Sequence, residues 1–414
     1  MLAGVFVAAL GLAVSLLGLG PGAASARPLT CGQTITRDTT LHADLGPCSS
    51  DGLVIGAANV TLDLNGHAIS GDDTYSGGDV GVGNETGYDG TVIENGAIRG
   101  FFFSIKLDAA DHSQVSDIAS TASGSCCQQF SVQVLRSTGS QVENNTFDNA
   151  ETPLVVSGSH NSIENNASDF AAGDSLRVSG SHNSISRNVA RYSTFDMVID
   201  GSLNRITHND VQAINGGLRV RGARNLIRAD TVDGFDGITV AGPGNVIRDN
   251  VVPGSHSSAL LATDCRNLRA DGNRLGSSGN AIQLTGCRDA RIEGNTVSSY
   301  DESGILLDGG SGNLISQNTV STSYYSGILV GGGSVGTVVK GNLATRAGFN
   351  PYYSEPNTAS DGIQVDDAGT TVANNRANDN ADYGIQAVRG VIDGGGNTAS
   401  GNGNPLQCLN VVCN

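Results

Sequence analysis

Three aspartates, Asp174, Asp196 and Asp236, stand just before or at the start of a recurring apolar strand. Rungs of parallel strands stack about 4.8 Å apart, so Asp174 and Asp196 would be about 5 Å apart and Asp196 and Asp236 about 10 Å apart. These separations bracket the carboxylate distances of retaining and inverting glycoside hydrolysis. Closely stacked carboxylates should also differ in pKa. The pattern therefore predicts catalytic acids and bases for cleavage of a glycosidic bond.

Charged residues at the outward positions of the same strands form a candidate substrate-binding groove. Arg177, Arg219 and Arg221 should project outward together with Asp200, in an arrangement that could grip a uronate sugar. The alternative is that these residues form ion pairs between rungs on a solvated face. The sequence leaves both interpretations open.

A second candidate cleft lies under an insertion of about ten residues that leaves the repeat before Asp361. Tyr352 and Tyr353, in the insertion, could stack on sugar rings while Asp361 supplies an acid or a base and Asp366 binds the substrate. The alternative is a loop that packs over the strands through its own aromatic side chains.

A Gly-rich, acidic loop suggests the one cofactor that the sequence predicts, which is calcium. Its candidate ligands are Asp72, Asp73, Asp79 and Asp89. Flexible, oxygen-rich loops suit calcium, although this spacing matches neither an EF-hand nor a nonapeptide repeat.

These residues are positioned by a repeat of 21 to 24 residues that runs from about Val92 to Ala377. Each copy has an apolar strand, a turn that ends in Asn, a second apolar pair and another Asn. The repeat is too short for a βαβ unit, and its apolar residues alternate at strand spacing. The sequence therefore predicts an all-β fold, a parallel β-helix of about a dozen or more rungs with capped ends. The Asn series are predicted to be scaffold.

Composition limits the partners. The 414 residues include 58 Gly and no Trp, and the formal net charge is −17. The sequence contains no stripe of basic residues that could neutralise phosphates, so nucleic acid is not an expected partner. An acidic surface would also repel an acidic polysaccharide, unless a local Arg patch or bound calcium reversed the charge.

The N-terminus predicts export. An uncharged apolar stretch, residues 2–19, precedes a small-residue cleavage pattern at Ala24-Ser25-Ala26, so residues 1–26 are predicted to be a signal peptide. The mature chain would have no membrane span and would be secreted or periplasmic; an uncleaved anchor is the alternative. We divide the mature chain into an N-terminal cap at 27–50, a β-helix at 51–390 and a closing segment at 391–414.

The eight cysteines form four local couples, which suits an oxidising compartment. Cys265 and Cys287 occupy the same turn position one repeat apart, within disulfide reach. Two further pairs are expected at the ends of the solenoid, Cys31 with Cys48 and Cys408 with Cys413. Vicinal Cys126 and Cys127 stay open between a vicinal disulfide and pairing elsewhere.

The segments CGQTITRDTTLHADLGPC, VTLDLNGHAISG and VIENGAIRGF, with the later DGI and GN repeats, carry a resemblance across the mature chain. They resemble secreted right-handed parallel β-helix repeat proteins of the pectate-lyase-like superfamily. That superfamily includes polysaccharide lyases, glycoside hydrolases, epimerases and periplasmic helper proteins, so the resemblance implies a right-handed fold but no single chemistry. The predicted function is an exported, monomeric β-helix that binds polysaccharide along one sheet face and cleaves it as a glycoside hydrolase or a lyase. The alternative is a non-catalytic binding or structural rod.

Overall fold

The computed structural model describes residues 28–74, 78–121, 129–350 and 354–414. The predicted signal peptide, Cys126, Cys127, Tyr352 and Tyr353 lie outside the described residues. Within those ranges the regular secondary structure consists of strands, and no helix has the length and apolar character of a membrane span. The strands wind into a coil with three faces, and each strand pairs in parallel with its counterpart on a neighbouring turn.

Face 1 contains seventeen strands, one for each turn of the coil. This number confirms the predicted dozen or more rungs. The strands of face 1 are Gln33–Ile35, Leu53–Ile55, Val80–Asn84, Phe103–Asp108, Phe130–Thr138, Leu154–Ser159, Leu176–Ser179, Met197–Asp200, Leu218–Arg221, Ile238–Ala241, Leu260–Thr263, Ile282–Thr285, Ile305–Asp308, Ile328–Gly331, Ile363–Val365, Ile385–Ala387 and Cys408–Leu409.

Faces 2 and 3 share two long strands, Val92–Arg99 and Gln114–Thr121, that bend from one face to the other. The other strands of face 2 are Thr39–Thr40, Thr61–Asp63, Gln141–Glu143, Ser162–Glu164, Ser184–Ser186, Arg205–Thr207, Leu226–Arg228, Val246–Arg248, Arg269–Asp271, Arg291–Glu293, Leu314–Ser316, Val338–Lys340, Thr371–Ala373 and Ile392–Asp393. The other strands of face 3 are Leu45–Cys48, Ala68–Gly71, Thr146–Asp148, Ala167–Asp169, Val189–Ser193, Asp210–Ala213, Thr231–Gly234, Val251–Ser255, Arg274–Ser277, Thr296–Ser299, Thr319–Ser323, Leu343–Ala347, Arg376–Asn378 and Thr398–Ser400.

One elongated core fills the coil. Leu176 and Val178 are buried, while Arg177 between them is exposed, as strand alternation requires. Leu176 lies in register with Met197, which lies in register with Leu218, so inward residues stack into columns that run along the axis. Outward positions are therefore free to carry charge without disturbing the core.

Buried asparagines tie each rung to the next, as the sequence predicts. The side-chain amide of Asn166 donates to Asn188 Oδ1 at 3.0 Å and to the Val142 carbonyl at 2.9 Å. The backbone N–H of Asn166 donates to the same Asn188 Oδ1 at 3.1 Å. Because buried polar groups are costly unless they are hydrogen-bonded, this ladder satisfies its own members while it fixes the register. The second asparagine series is therefore scaffold.

Three disulfides join the cysteine pairs that the sequence analysis expects. Cα–Cα distances are 5.6 Å for Cys31–Cys48, 4.5 Å for Cys265–Cys287 and 6.1 Å for Cys408–Cys413. Two of the bonds lie in the first and last described coils, where sheet edges end, and the third joins adjacent rungs within the rod. The segment boundaries at residues 50 and 390 stay predictions.

Candidate functional site

Large aromatic side chains are exposed at the corner where the chain passes from face 3 into face 1. Phe170 is 56% exposed and stacks on Tyr192, which is 54% exposed, with their ring centroids 5.1 Å apart. Phe195 is 50% exposed, and Phe235 stacks on His256 at 5.6 Å. We call these five residues the aromatic ridge. Exposed apolar surface of this kind, next to polar groups, marks binding sites.

The turn conformation sets the projection of these rings. Phe170 and Tyr192 have positive φ angles of 56° and 53° and directly follow face-3 β-pairing. This left-handed geometry is uncommon for bulky residues and turns the chain sharply. The sequence analysis missed the ridge. A signal was present in the sequence: an aromatic residue directly precedes the aspartate that lies just before two of the face-1 strands, in Phe195-Asp196 and Phe235-Asp236.

Asp196 lies beside the ridge and is almost fully buried. Its side chain is 4% exposed; Oδ1 accepts the Gly217 N–H at 2.8 Å, and Oδ2 pairs with the Arg219 guanidinium. Burial raises the pKa of Asp196, against the lowering effect of the Gly217 N–H and of Arg219. Asp174 and Asp236 raise this pKa further, so both carboxylates act electrostatically on Asp196. The structure thus brings the three predicted aspartates into one electrostatic group.

The register differs from simple stacking of these carboxylates. Asp196 directly precedes Met197, whereas Asp174 precedes Leu176 by two residues. Asp174 and Asp196 are therefore on adjacent rungs but in different columns, and the residue in the column of Asp174 on the Met197 rung is Phe195. The expected direct stack of about 5 Å between Asp174 and Asp196 is not formed. In that column Phe195 follows Asp174, and Gly216 and Asp236 occupy the next two rungs.

All three predicted substrate-gripping arginines have acidic partners. Arg177 pairs with Asp174 at 2.6 Å, and Arg221 lies 3.9 Å from Asp200. Arg219 is held by Asp196. These contacts match the alternative of ion pairs on the face, so their positive charge is neutralised locally. The surface beside the ridge is therefore a strip of paired charges and not a free cationic groove.

The second candidate cleft is organised around Asp361, which is 1% exposed. Its Oδ1 accepts the Tyr383 N–H at 2.9 Å. Burial raises the pKa of Asp361 to about 7, the Tyr383 N–H opposes this, and the Asp382 and Asp366 carboxylates add to it. Asp366 is exposed and accepts two hydrogen bonds from the Gln364 amide, at 3.2 and 3.0 Å.

The insertion folds back along the rod from this cleft. The Asn350 side chain donates to the Tyr300 carbonyl and, at 3.0 Å, to Asp301 Oδ1. The Ser360 hydroxyl donates to the Tyr324 carbonyl at 2.9 Å. The described part of the insertion thus contacts the turns of the two preceding coils. With Tyr352 and Tyr353 outside the described residues, their stacking role stays a prediction.

Three of the four predicted calcium ligands, Asp72, Asp79 and Asp89, accept hydrogen bonds from different residues. Asp72 accepts the Thr74 hydroxyl at 2.7 Å, and Asp89 accepts the Asp111 N–H at 2.9 Å. Asp79 is 8% exposed, and burial raises its pKa. Across the described ranges, no group of three or more His, Cys, Asp or Glu side chains is arranged to hold a metal ion. Calcium binding by these residues, including Asp73, stays a prediction.

A family model described as "Right handed beta helix region" matches residues 197–344 and, in an overlapping match, residues 236–403. Together the matches span half of the 414 residues. The chain belongs to the right-handed β-helix family. This result confirms the predicted right-handed parallel β-helix.

Solved structures similar to this β-helix include three that act on or bind glycans by their own descriptions. The catalytic unit of a GH87 α-1,3-glucanase from Streptomyces thermodiastaticus is 16% identical, with a TM-score of 0.39, over 83% of this chain and 64% of that one. The A-module of the mannuronan C-5 epimerase AlgE4 from Azotobacter vinelandii is 12% identical, with a TM-score of 0.44, over 87% and 91%. A tailspike of E. coli bacteriophage HK620 in complex with a pentasaccharide is 11% identical, with a TM-score of 0.36, over 92% and 73%.

This β-helix spans less than two thirds of the glucanase unit. No curated protein matches the sequence.

Proposed function

We propose that this β-helix binds a polysaccharide across the aromatic ridge and the adjoining strip of face 1. The observation that carries the proposal is the exposed Phe170–Tyr192 stack beside the paired charges of Asp174 and Asp196. Flat aromatic rings bind the apolar faces of sugar rings, and charged side chains hydrogen-bond to the hydroxyl groups around them. A row of such groups along a rod suits an extended polymer.

The charges favour a neutral glycan at this strip. Arg177, Arg219 and Arg221 are already paired, so a uronate carboxylate would have to displace an aspartate from each. The chain also has a net charge of −17, which repels a polyanion at long range. A neutral polysaccharide meets neither penalty.

We further propose that the same strip cleaves the bound glycan by hydrolysis. Asp196 is buried with a raised pKa, which suits a general acid that must hold a proton, and Asp236 is two rungs further along in the neighbouring column. Two rungs correspond to about 10 Å between backbones, close to the carboxyl separation of inverting hydrolases. Asp236 is the proposed base that activates water. A lyase is less well supported, because it needs a free cation to stabilise a uronate carbanion.

We also propose that the protein works outside the cytoplasm as a monomer. Three disulfides suit an oxidising compartment. Light scattering of the mature chain tests the monomer: a dimer mass would contradict it.

Binding is tested with the Tyr192→Ala/Phe235→Ala variant against a panel of insoluble neutral glycans and uronate polymers. We expect retention of the wild type on a neutral glycan and loss of that retention in the double variant. Leu406→Ala is the matched control, because Leu406 is 67% exposed in the last described coil, far from the ridge. Equal binding by the double variant and the wild type would contradict the proposed site.

Cleavage is tested by the release of reducing ends and by absorbance near 235 nm, which reports the unsaturated product of a lyase. We expect reducing ends without absorbance, and their loss in Asp196→Asn but not in Asp233→Asn, an exposed carboxylate on face 3. Retained binding without any product would reassign the protein as a non-catalytic rod. Absorbance that develops with the reducing ends would identify a lyase.

A further inference from the structure

Four exposed arginines form a two-by-two patch where face 1 turns into face 2. They are Arg266, Arg269, Arg288 and Arg291, and we call them the arginine corner. Arg266 lies in register with Arg288 through a parallel bridge, and Arg269 lies in register with Arg291 in the next strands. Register partners on adjacent rungs are about 4.8 Å apart, so like charges are stacked directly in both columns.

The arginine corner has no acidic partner among the described residues. Within the described ranges none of its four guanidinium groups makes an ion pair, whereas seven other arginines do. Asp264, Asp289 and Glu293 are close in sequence, but they form no ion pair with the corner in that part of the chain. The chain has 40 acidic and 23 basic residues, so pairing partners are abundant. Nine other described arginines are also unpaired, so the feature that distinguishes the corner is the direct register of its like charges.

The interior beneath the arginine corner is also built differently. Asn245 is the inward residue before the face-2 strand on the preceding rung, and Leu268 and Ala290 take that place on the two arginine rungs. The buried Cys265–Cys287 disulfide joins these same two rungs, one residue before Arg266 and Arg288. Like charges directly opposite each other destabilise strand pairing. A covalent link therefore holds together the rungs that the arginines push apart.

A surface hollow of about 350 Å³ opens beside the arginine corner. Arg224, Pro243, Gly244 and Asn267 are among its lining residues. Gly244 donates its N–H to the Arg266 carbonyl at 2.7 Å, so the hollow and the corner are directly connected. Arg224 is exposed and, within the described residues, also has no ion-pair partner. The hollow adds a fifth guanidinium group to the patch.

We propose that the arginine corner and its hollow bind an anionic glycan through its sulfate or carboxylate groups. A guanidinium group is a planar fork that binds such an oxyanion with two parallel hydrogen bonds. Paired arginines on adjacent rungs can hold one oxyanion between them, and the two columns can hold successive substituents of one polymer. The bound charge removes the repulsion between the stacked arginines.

A glycan fits this site better than a nucleic acid. Duplex DNA carries one charge per about 1.7 Å and binds through many phosphate contacts, which requires an extended basic surface. The corner and its hollow together offer five arginines on a chain of net charge −17. A glycan with more widely spaced charges needs only this patch. The site lies at the opposite end of the face-1 strands from the aromatic ridge, so it does not depend on the function proposed above.

The test compares two double variants that remove the same charge. Arg266→Gln/Arg288→Gln disables the corner, and Arg136→Gln/Arg187→Gln removes two ion-paired arginines elsewhere. Each protein is measured against heparin, polygalacturonate and duplex DNA by titration calorimetry and salt elution. We expect wild-type binding to heparin, to polygalacturonate or to both. The corner variant should lose about tenfold or more in affinity and about two units of salt dependence, and the control should change by less than about twofold.

Heparin binding alone would identify sulfate as the recognised group, and binding of both glycans would identify oxyanions in general. The proposal is overturned if the wild type binds neither glycan at low salt, if both double variants lose affinity equally, or if duplex DNA binds as tightly as the glycans. The melting temperature separates binding from folding. We expect the corner variant to melt at or above the wild-type temperature, because it relieves repulsion. A corner variant that melts at or above the wild-type temperature and still binds the glycans with wild-type affinity would also refute the site.

Discussion

Asp230 interrupts the asparagine ladder, and its replacement by Asn should stabilise the protein in a pH-dependent way. Its Oδ1 accepts the backbone and side-chain N–H groups of Asn209 at 2.7 and 2.8 Å. Its Oδ2 is buried and has no hydrogen-bond partner among the described residues. In Asn209 and Asn250, a side-chain nitrogen donates to the carbonyls of Ile185 and Ile227, each at 3.1 Å. Asp230→Asn should supply the missing donor.

The size of the expected stability change follows from the pKa of the Asp230 carboxyl group. Burial raises the pKa of Asp230 from 3.8 to about 7, while the Asn209 donors oppose the rise. Between these two pKa values the folded state holds a proton that the unfolded state has lost, so stability falls as pH rises from about 4 to about 7 and is level above that. Each pKa unit is worth about 1.36 kcal/mol, so the full loss is about 4 kcal/mol. Asn carries no such dependence.

The assay is guanidinium unfolding followed by far-UV circular dichroism at about pH 4 and about pH 8.5. We expect Asp230→Asn to gain little at the lower pH and up to about 4 kcal/mol at the higher one. Asp233→Asn is the matched control, because Asp233 is an exposed carboxylate three residues away in the strand Thr231–Gly234. A gain that is equal at both pH values, or a loss at the higher pH, would refute the assignment of the buried proton.

Three other substitutions test the scaffold by chemical unfolding. Asn295→Ala removes the hydrogen bonds that the side-chain amide donates to the Ala270 carbonyl at 2.9 Å and to Asn318 Oδ1 at 3.0 Å. The free energy of unfolding should fall by about 3 kcal/mol, and a loss under about 1 kcal/mol would contradict the role of the ladder. Gly201→Ala should lower the free energy of unfolding by more than about 2 kcal/mol, because the φ of Gly201 is 146° and a Cβ there would overlap a backbone carbonyl oxygen of the preceding rung. Gly254→Ala is the control: a Cβ at Gly254 meets open space, so stability should change little. Cys265→Ser opens a 22-residue loop and should cost about 3 kcal/mol, an effect that a reductant should abolish.

The fold could be predicted from the sequence because the residues that define the repeat are those whose side chains face inward. The alternation of Leu176 and Val178 fixes one face of the coil, and the Asn166 and Asn188 spacing fixes the next corner. Stacking then follows, since each copy can satisfy its backbone only against another copy. The spacing between ladder asparagines also predicted where the insertion would leave the coil.

The candidate site was less predictable because it depends on turns, whose length and conformation vary between copies. The turn that joins the preceding face-3 strand to the face-1 strand is longer before Leu176 than before Met197. The sequence repeat therefore predicts Asp174 and Asp196 in one column, whereas pairing in register separates them. The projection of Phe170 depends on a left-handed backbone angle that no local residue preference announces.

The position of Asp196 indicates which parts of face 1 are not explained by the fold. Ser175 and Gly217 occupy the same register position on the neighbouring rungs, and Gly237 follows them, so the coil closes there without a carboxylate. A buried carboxyl group is costly to desolvate, and its pairing with Arg219 recovers only part of that cost. The ladder asparagines, in contrast, recur because every rung needs them. Asp196 occurs once, buried and adjacent to exposed rings, where the scaffold requires only a small residue, and this is the argument for testing it first as the acid.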